Sequence, residues 1–359
     1  MNLENIKNIS IETLSLRLEE MGLESYRLGQ VLQWVYERDV ASFDEMTNVS
    51  KKLKEELMKV FRIARLPIET EQRSSDGTRK FLIRLDDSET VESVLIPNED
   101  RLTLCISSQV GCAMACRYCL TGLIGLKRHL SQFEILEQVM AVKRRLSEGE
   151  KITNIVFMGM GEPLHNLKAV VPAVHILVDP RCLSFSKRKV TVSTSGLVPQ
   201  MLEFGRLSDV KMAVSLCATT DEVRDVLVPI NRKYPLEVLL KACREYPLKP
   251  KGKITMEYVM LSGVNDTMDD AKRLTKLLAT VPCKINLIPF NEFPGSEFKR
   301  PRDEWVRSFQ KYLLDRGFQT NIRTSRGRDI LGACGQLKAD FKPKSRPPAK
   351  FGDPVRPVA

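Results

Sequence analysis

The chain has 359 residues, with 56 Lys+Arg against 45 Asp+Glu and a net charge of +11. With 43% hydrophobic and 28% charged residues there is ample material for a core, so disorder over the whole chain is excluded, and the length fits two or three domains or one large α/β domain with additions. No run of about 18 apolar residues occurs and the N-terminal stretch lacks an apolar h-region, so no membrane span or secretory signal is expected and the expected address is cytoplasmic.

Residues 1–100 carry 14 basic and 20 acidic side chains, whereas residues 101–359 carry 42 and 25. That asymmetry points to a polyanionic partner for the second part, with nucleic acid the leading candidate. The first hundred residues read as an appended accessory domain. Apolar residues at helical spacing occupy 10–40 and 50–61, including Leu14, Leu16, Leu18, Val31, Leu32, Val35 and Tyr36. TRKFLIRL (78–85), an Asp86-Asp87-Ser88 turn and ETVESVLIP (89–97) then form a predicted β-hairpin.

From residue 102 strands and helices alternate. Candidate strands lie at 103–107, 154–160, 189–194, 210–216, 254–261, 284–290 and 319–324, rich in β-branched residues and without strict alternation, as in strands buried on both faces. Helices are predicted near 132–147, 163–178, 236–246, 267–280 and 303–316, the first opening on a Ser131–Glu134 capping box. Such alternation implies parallel strands in an α/β sheet or barrel over 101–338. Residues 339–359 read as a basic, Pro-rich mobile tail.

Chemistry in parallel α/β folds gathers where the strands end. Here those ends read QVGCAMACRYC, MGMGEP, STSG, SLCA and PFN, polar or glycine-rich in each case, which favours a shared pocket over ordinary turn composition. Nine cysteines in a reducing compartment are poor disulfide candidates, so some should be ligands or catalysts. Cys112, Cys116 and Cys119 form C-x3-C-x2-C after the first of these strands. Three thiolates can hold a 4Fe–4S cluster with one iron open, or zinc if Cys105 or His129 supplies a fourth ligand.

GCAMACRYCLTG resembles the cluster loop of radical S-adenosylmethionine (SAM) enzymes. LCISSQVGCAMACRYC, FMGMGEPLHNL, VTVSTSG, DEVRD, INLIPFN and RGRDILGACGQL resemble the RlmN/Cfr family of RNA methyltransferases, over residues 10 to 340. The resemblance implies a partial, six-stranded radical SAM βα barrel behind the helical and hairpin accessory domain. It further implies one 4Fe–4S cluster on Cys112, Cys116 and Cys119, and two SAM molecules per turnover. Cys334 in GACGQL matches the position that becomes S-methylcysteine, and Cys105 its resolving partner in a transient disulfide. Without the resemblance, a buried core thiol is an equally good account of Cys334.

The family's SAM contacts map onto Gly161 and Glu162 in MGMGEP, Ser193 in STSG, Ser215, Leu216 and Cys217 after the fourth strand, and Asn291 in PFN. Cys217 departs from the family's usual His or Asn, which weakens any side-chain hydrogen bond there. Glu92 matches a family carboxylate near the target adenine and possible proton acceptor, although from the sequence alone it reads as an exposed strand glutamate. The implied partners are 23S rRNA and tRNA, with a flavodoxin-type electron donor, no membrane, and a monomeric chain. The implied product is adenosine methylated at carbon 2, with carbon 8, as in the Cfr branch, the alternative. A zinc-stabilised RNA-binding protein without catalysis is the rival from another class, and it leaves MGMGEP and Cys334 unexplained.

Cys182, Cys243 and Cys283 lack partners at ligand spacing and read as buried thiols. His129, His165 and His175 read as isolated. Asp221, Glu222, Arg224 and Asp225 read as a helix-start charge pattern. Lys187-Arg188-Lys189, Lys127-Arg128 and the arginines of 323–328 are candidate phosphate contacts.

Overall fold

The computed structural model describes residues 3–338; the predicted tail at 339–359 lies outside them. The N-terminal module begins with a two-residue strand, β1 (Glu4–Asn5), followed by helices α1 (Ile11–Glu20), α2 (Tyr26–Leu32) and α3 (Lys51–Val60). Ser10 and Ser50 cap α1 and α3, each side chain accepting an N–H three residues on. β2 (Phe61–Arg62) returns to pair in parallel with β1 and closes the module.

One ten-stranded sheet runs through the rest of the molecule. It contains β3 (Ile68–Arg73), β4 (Arg79–Arg84), β5 (Thr90–Asn98), β6 (Arg101–Cys105), β9 (Asn154–Phe157), β10 (Val190–Thr194), β11 (Lys211–Ser215), β12 (Ile254–Met260), β13 (Cys283–Pro289) and β14 (Thr320–Ile322). A separate two-stranded ribbon joins β7 (Gln109–Gly111) to β8 (Leu126–His129). From β6 to β14 neighbouring strands are parallel, giving the six strands of the expected barrel and a three-residue seventh. β3, β4 and β5 are antiparallel, and β5 pairs with β6 through Asn98↔Arg101, so the accessory hairpin and the barrel share one sheet.

Helices α4 (Leu120–Ile124), α5 (Gln132–Lys143), α6 (Leu167–Val178), α7 (Val198–Leu207), α8 (Asp221–Leu227), α9 (Leu236–Glu245), α10 (Met268–Leu278) and α11 (Asp303–Leu314) occupy the connections. The Ser131–Glu134 capping box opens α5 in both directions. Almost every residue of α5 is buried, because the N-terminal module covers the face that the barrel leaves open. The seal includes a charge pair: Lys7 Nζ lies 2.6 Å from Glu137 Oε1, and neither side chain reaches solvent. Arg144 and the backbone N–H of Leu66 satisfy the other oxygen of Glu137.

β3 and α7 were not legible as elements. β3 (IETEQR) has one large apolar residue and is an edge strand held by backbone bonds to β4. α7 carries Pro199 in its first turn, where a missing N–H costs nothing.

Candidate active site

The cluster loop leaves β7 at Gly111, whose φ is +80° and where a Cβ would lie 1.9 Å from the carbonyl oxygen of Gly125. Only glycine lets the chain fold back there. Cys112 N–H then donates to Gly125 O at 3.0 Å and Cys119 N–H to Cys116 O at 3.1 Å, turning the three cysteines into one pocket. Burial pushes all three thiols above their ordinary range, and charge on neighbouring thiolates adds to it. A bound cluster would supply the missing counter-charge. Among the described residues no three His, Cys, Asp or Glu side chains converge on one point as a single tetrahedral ion requires. A 4Fe–4S cluster takes each thiolate at a separate iron, and three thiols lining one pocket suit that arrangement. His129, a candidate zinc ligand, is engaged through Nδ1 with Gln109 Nε2 at 2.9 Å.

The same pocket is lined by Gly161, Glu162, Ser193, Ser215, Asn291 and Cys334. Gly161 has φ +104°, and a Cβ on it would lie 2.6 Å from Gln109 Cβ, so the turn after β9 presses its backbone against the floor of the cluster loop. Glu162 is buried, and its carboxylate accepts from Ser195 N–H (2.8 Å), Ser195 Oγ (2.9 Å) and Leu164 N–H (3.1 Å). It therefore ties the end of β9 to the end of β10. Burial raises its pKa and those donors partly counter the rise. Asn291 donates from Nδ2 to Cys334 O at 3.1 Å, while its Oδ1 is buried without a hydrogen-bond partner. An orphaned acceptor on the wall of this pocket is what a ligand such as SAM, rich in amino and hydroxyl donors, would satisfy.

Cys334 stands on the wall between this pocket and a smaller one lined by Ile96, Arg323 and Ser325. The ladder does not close from β14 to β6; the segment after β14 bridges the opening. That segment is held from three sides: Leu120 N–H donates to Gly335 O at 2.7 Å, Gln336 Nε2 to Glu292 O at 2.7 Å, and Ser74 Oγ to Asp329 Oδ1 at 2.6 Å. Cys105, buried at the end of β6, does not line the pocket, but it lies within electrostatic reach of Cys334. Burial first, then charge on Cys334, pushes the Cys105 thiol up to about 12. Arg323 faces both sulfurs and draws each back toward the thiolate, and its guanidinium also lies 3.6 Å from Glu257 Oε1. Its place in the basic 323–328 run suggests a phosphate contact, whereas the fold sets it beside the two thiols as their counter-charge.

Three expectations require correction, and Leu216 and Cys217 sit apart from the other SAM-contact positions. Glu92 is not exposed: it is buried, 2.9 Å from Lys80 Nζ, and it accepts the N–H of Lys338 at 2.8 Å, because β4, β6 and the C-terminal segment enclose β5. It does not line the pocket. The side chains of Leu216 and Cys217 are buried behind the pocket wall, so a ligand there would meet their backbone. Cys217 adopts φ +57°, and its thiol donates to the Tyr118 hydroxyl at 3.2 Å, bracing the cluster loop. His129 and His165 are not isolated; their rings meet edge to face at 4.9 Å and share the Gln109 amide. Arg224 is not a surface helix-start charge. It is fully buried and donates to Leu216 O (2.9 Å), Ser195 O (2.8 Å), Ser215 O (3.0 Å) and Asn231 Oδ1 (2.9 Å). It thereby joins the ends of β10 and β11 beneath the pocket. Its position after a capped Thr220 gave no signal of this, since burial of a helix-face arginine depends on the loops packed over it.

Of the basic pairs expected to meet phosphate, Lys127 is bound to Glu89 and Arg128 to Asp87 and Glu134. Among the described residues no helix is long and apolar enough to cross a membrane.

A radical SAM superfamily model matches residues 106–275, and a model for the N-terminal domain of ribosomal RNA large subunit methyltransferases matches residues 4–63. The dual-specificity RNA methyltransferase RlmN of Geotalea uraniireducens is 54% identical over 334 residues, which is 93% of this chain and 96% of that protein. The chain belongs to the RlmN family of radical SAM methyltransferases. The RlmN of Geobacter sulfurreducens is 55% identical, covering 93% of this chain and 92% of its own length. The crystal structure of a radical SAM methyltransferase from Sphaerobacter thermophilus superposes with a TM-score of 0.86 at 41% identity, over 94% of this chain and all of that one. Membership of the radical SAM superfamily implies a 4Fe–4S cluster and SAM, for which the three-thiol pocket is the fitting place.

Proposed function

We propose that this RlmN family member methylates carbon 2 of adenosine in 23S rRNA, at the peptidyl transferase centre, and in tRNA beside the anticodon. The observation that carries the reading is the placement of Cys334 on the wall of the three-cysteine pocket, within electrostatic reach of Cys105. Carbon 2 of adenine is too weak a nucleophile for direct displacement on a sulfonium methyl group, so the chemistry belongs to the cofactor. When bound by Cys112, Cys116 and Cys119 and by the turns at Gly161, Ser193, Ser215 and Asn291, the cluster and two molecules of SAM supply a methyl group and a 5′-deoxyadenosyl radical, given one electron from a flavodoxin-type donor.

This chain's own residues do the rest. With SAM held there, Cys334 Sγ would attack as thiolate, its sulfur–carbon bond forming as the sulfonium–methyl bond breaks and S-adenosylhomocysteine leaves; Arg323 opposes the cost of the negative charge on that half-buried sulfur. The methyl carbon on Cys334 would give up a hydrogen atom to the 5′-deoxyadenosyl radical and bond to carbon 2, and the adduct radical would then lose one electron to the cluster and its carbon-2 proton to a base. Cys105 as thiolate would then attack Cys334 Sγ, so that a sulfur–sulfur bond forms and the sulfur–carbon bond breaks, and the methylene carbon, left with the electron pair, takes a proton from solvent and departs as the methyl group of the product. Glu92 would be a proton acceptor only once released from Lys80 and Lys338, which now hold it away from the pocket. The target adenosine must be unstacked, because carbon 2 is inaccessible within a helix.

The test is Cys334→Ala on anaerobically prepared protein, with iron and sulfide assayed beside methyl transfer to isolated rRNA and tRNA. Wild type should carry iron and sulfide near about four each per chain, and the variant should keep both while losing methyl transfer. Methylation by the variant overturns the cysteine route, stoichiometric zinc without iron overturns the enzyme reading, and methyl mapped to carbon 8 overturns the regiochemistry.

A further inference from the structure

The pocket lies at the carboxyl ends of the parallel strands. At their opposite ends the chain builds a groove of about 560 Å3 that the proposed chemistry does not use. Arg188 and Lys189 immediately precede β10, Lys211 opens β11, Lys251 and Lys253 precede β12, and Lys284 stands second in β13. Among the described residues none of these six cations forms an ion pair within 4.0 Å. The one carboxylate lining the groove, Asp209, is held by Lys187 and Lys249 on its rim. Lys211 sits at the centre: burial and then the charges of Lys284, Lys189, Arg188 and Arg101 all bear against its ammonium. A cluster that repels itself this way costs stability in the free protein and draws an anion in proportion.

We infer that this groove is a second RNA-binding surface, taking the sugar–phosphate backbone of the substrate at a point remote from the nucleotide that enters the pocket. The inference rests on the reading that the substrate is RNA. Four neighbouring strands at about 4.8 Å spread the cations over about 14 Å, too long for one phosphate group. A second concavity toward β9 adds Lys143, Lys151 and Lys189, alongside Glu37 and the Glu150 that Arg79 pairs. An extended polyanion fits that layout. An acidic redox partner does not: strands of four to seven residues put about 13–23 Å of barrel between this rim and the cluster loop.

The experiment compares wild type with Lys211→Gln/Lys251→Gln/Lys253→Gln, three exposed side chains outside the pocket. Binding to full-length tRNA and to its isolated anticodon stem-loop is measured across a salt series. For full-length tRNA the variant should bind at least about tenfold more weakly at 0.1 M salt, and the slope of log K against log salt should fall by about 2 to 3. Its stem-loop affinity, melting temperature and iron content should match wild type. An unchanged affinity and slope for full-length tRNA would overturn the groove alone, as would an equal loss for tRNA and stem-loop. Slower cluster reduction by a flavodoxin with intact tRNA binding would make the groove a protein dock and overturn it too. If wild type itself fails to bind either RNA, the RNA reading falls and the groove with it.

Discussion

Replacing Arg224 with methionine removes a buried side-chain clamp that adds to the backbone ladder at the ends of β10 and β11. The guanidinium makes four hydrogen bonds of 2.8–3.0 Å, three of them to main-chain carbonyls of Ser195, Ser215 and Leu216, with no exposure to solvent. A hydrogen bond from a charged donor contributes about 1.5–3 kcal/mol, and its loss leaves a buried acceptor unpaired. Four such losses do not add, because they share one side chain, and removing the charge also removes its own desolvation cost. The net expectation is about 3–5 kcal/mol of destabilisation. At about 2–4 °C per kcal/mol for a domain of this size, the melting temperature should fall by about 6–20 °C. Ser193 and Ser215 lie on the two strands concerned, so SAM should bind about tenfold more weakly to protein that still holds its iron, a loss of about 1.4 kcal/mol. Arg224→Lys should recover only part of both effects, since an ammonium cannot reproduce the planar fork. Thermal unfolding followed by circular dichroism and equilibrium dialysis against SAM measure the two quantities. A methionine variant that melts and binds like wild type would show that the sheet alone holds these strand ends.

Gly161→Ala should abolish measurable SAM binding, because its Cβ would meet Gln109 at 2.6 Å and its φ of +104° strains any side chain; dialysis that returns wild-type affinity would refute the close approach. Burial acts to raise Asp76, but donors from Thr78 and from the backbone of Gly327 outweigh it and hold the carboxyl at about 2, below its ordinary 3.8. The extra stability is therefore present above about pH 4 and lost as pH falls toward 2. With solvent screening allowed for, Asp76→Asn should cost about 1 kcal/mol at pH 6 and nothing at pH 2, and urea titrations giving one difference at both pH values would contradict this. Lys7→Met leaves Glu137 buried with Arg144 as its remaining cation, and should cost about 3 kcal/mol and expose the module at residues 4–63 to protease. Unchanged cleavage kinetics would place the seal elsewhere.

Local pattern determined a good deal of this protein. The strand–helix alternation fixed the parallel strands because apolar runs with β-branched residues can satisfy their backbones only inside a sheet, and the hairpin at 79–98 followed from two such runs around a short acidic turn. The C-x3-C-x2-C loop was legible because three thiols within eight residues need no long-range contact to share a site. Tertiary structure alone decided what distant segments do to one another. It set Cys105 and Cys334 within electrostatic reach through a bridging segment after β14 rather than through closure of the ladder. It buried Glu92 against Lys80, gathered His129 and His165 on one glutamine, and turned Arg224 from a helix-face charge into a clamp on two strand ends. The reason is common to all of these. A polar side chain reads the same in sequence whether solvent or protein surrounds it, and only the packing of loops far away along the chain decides which.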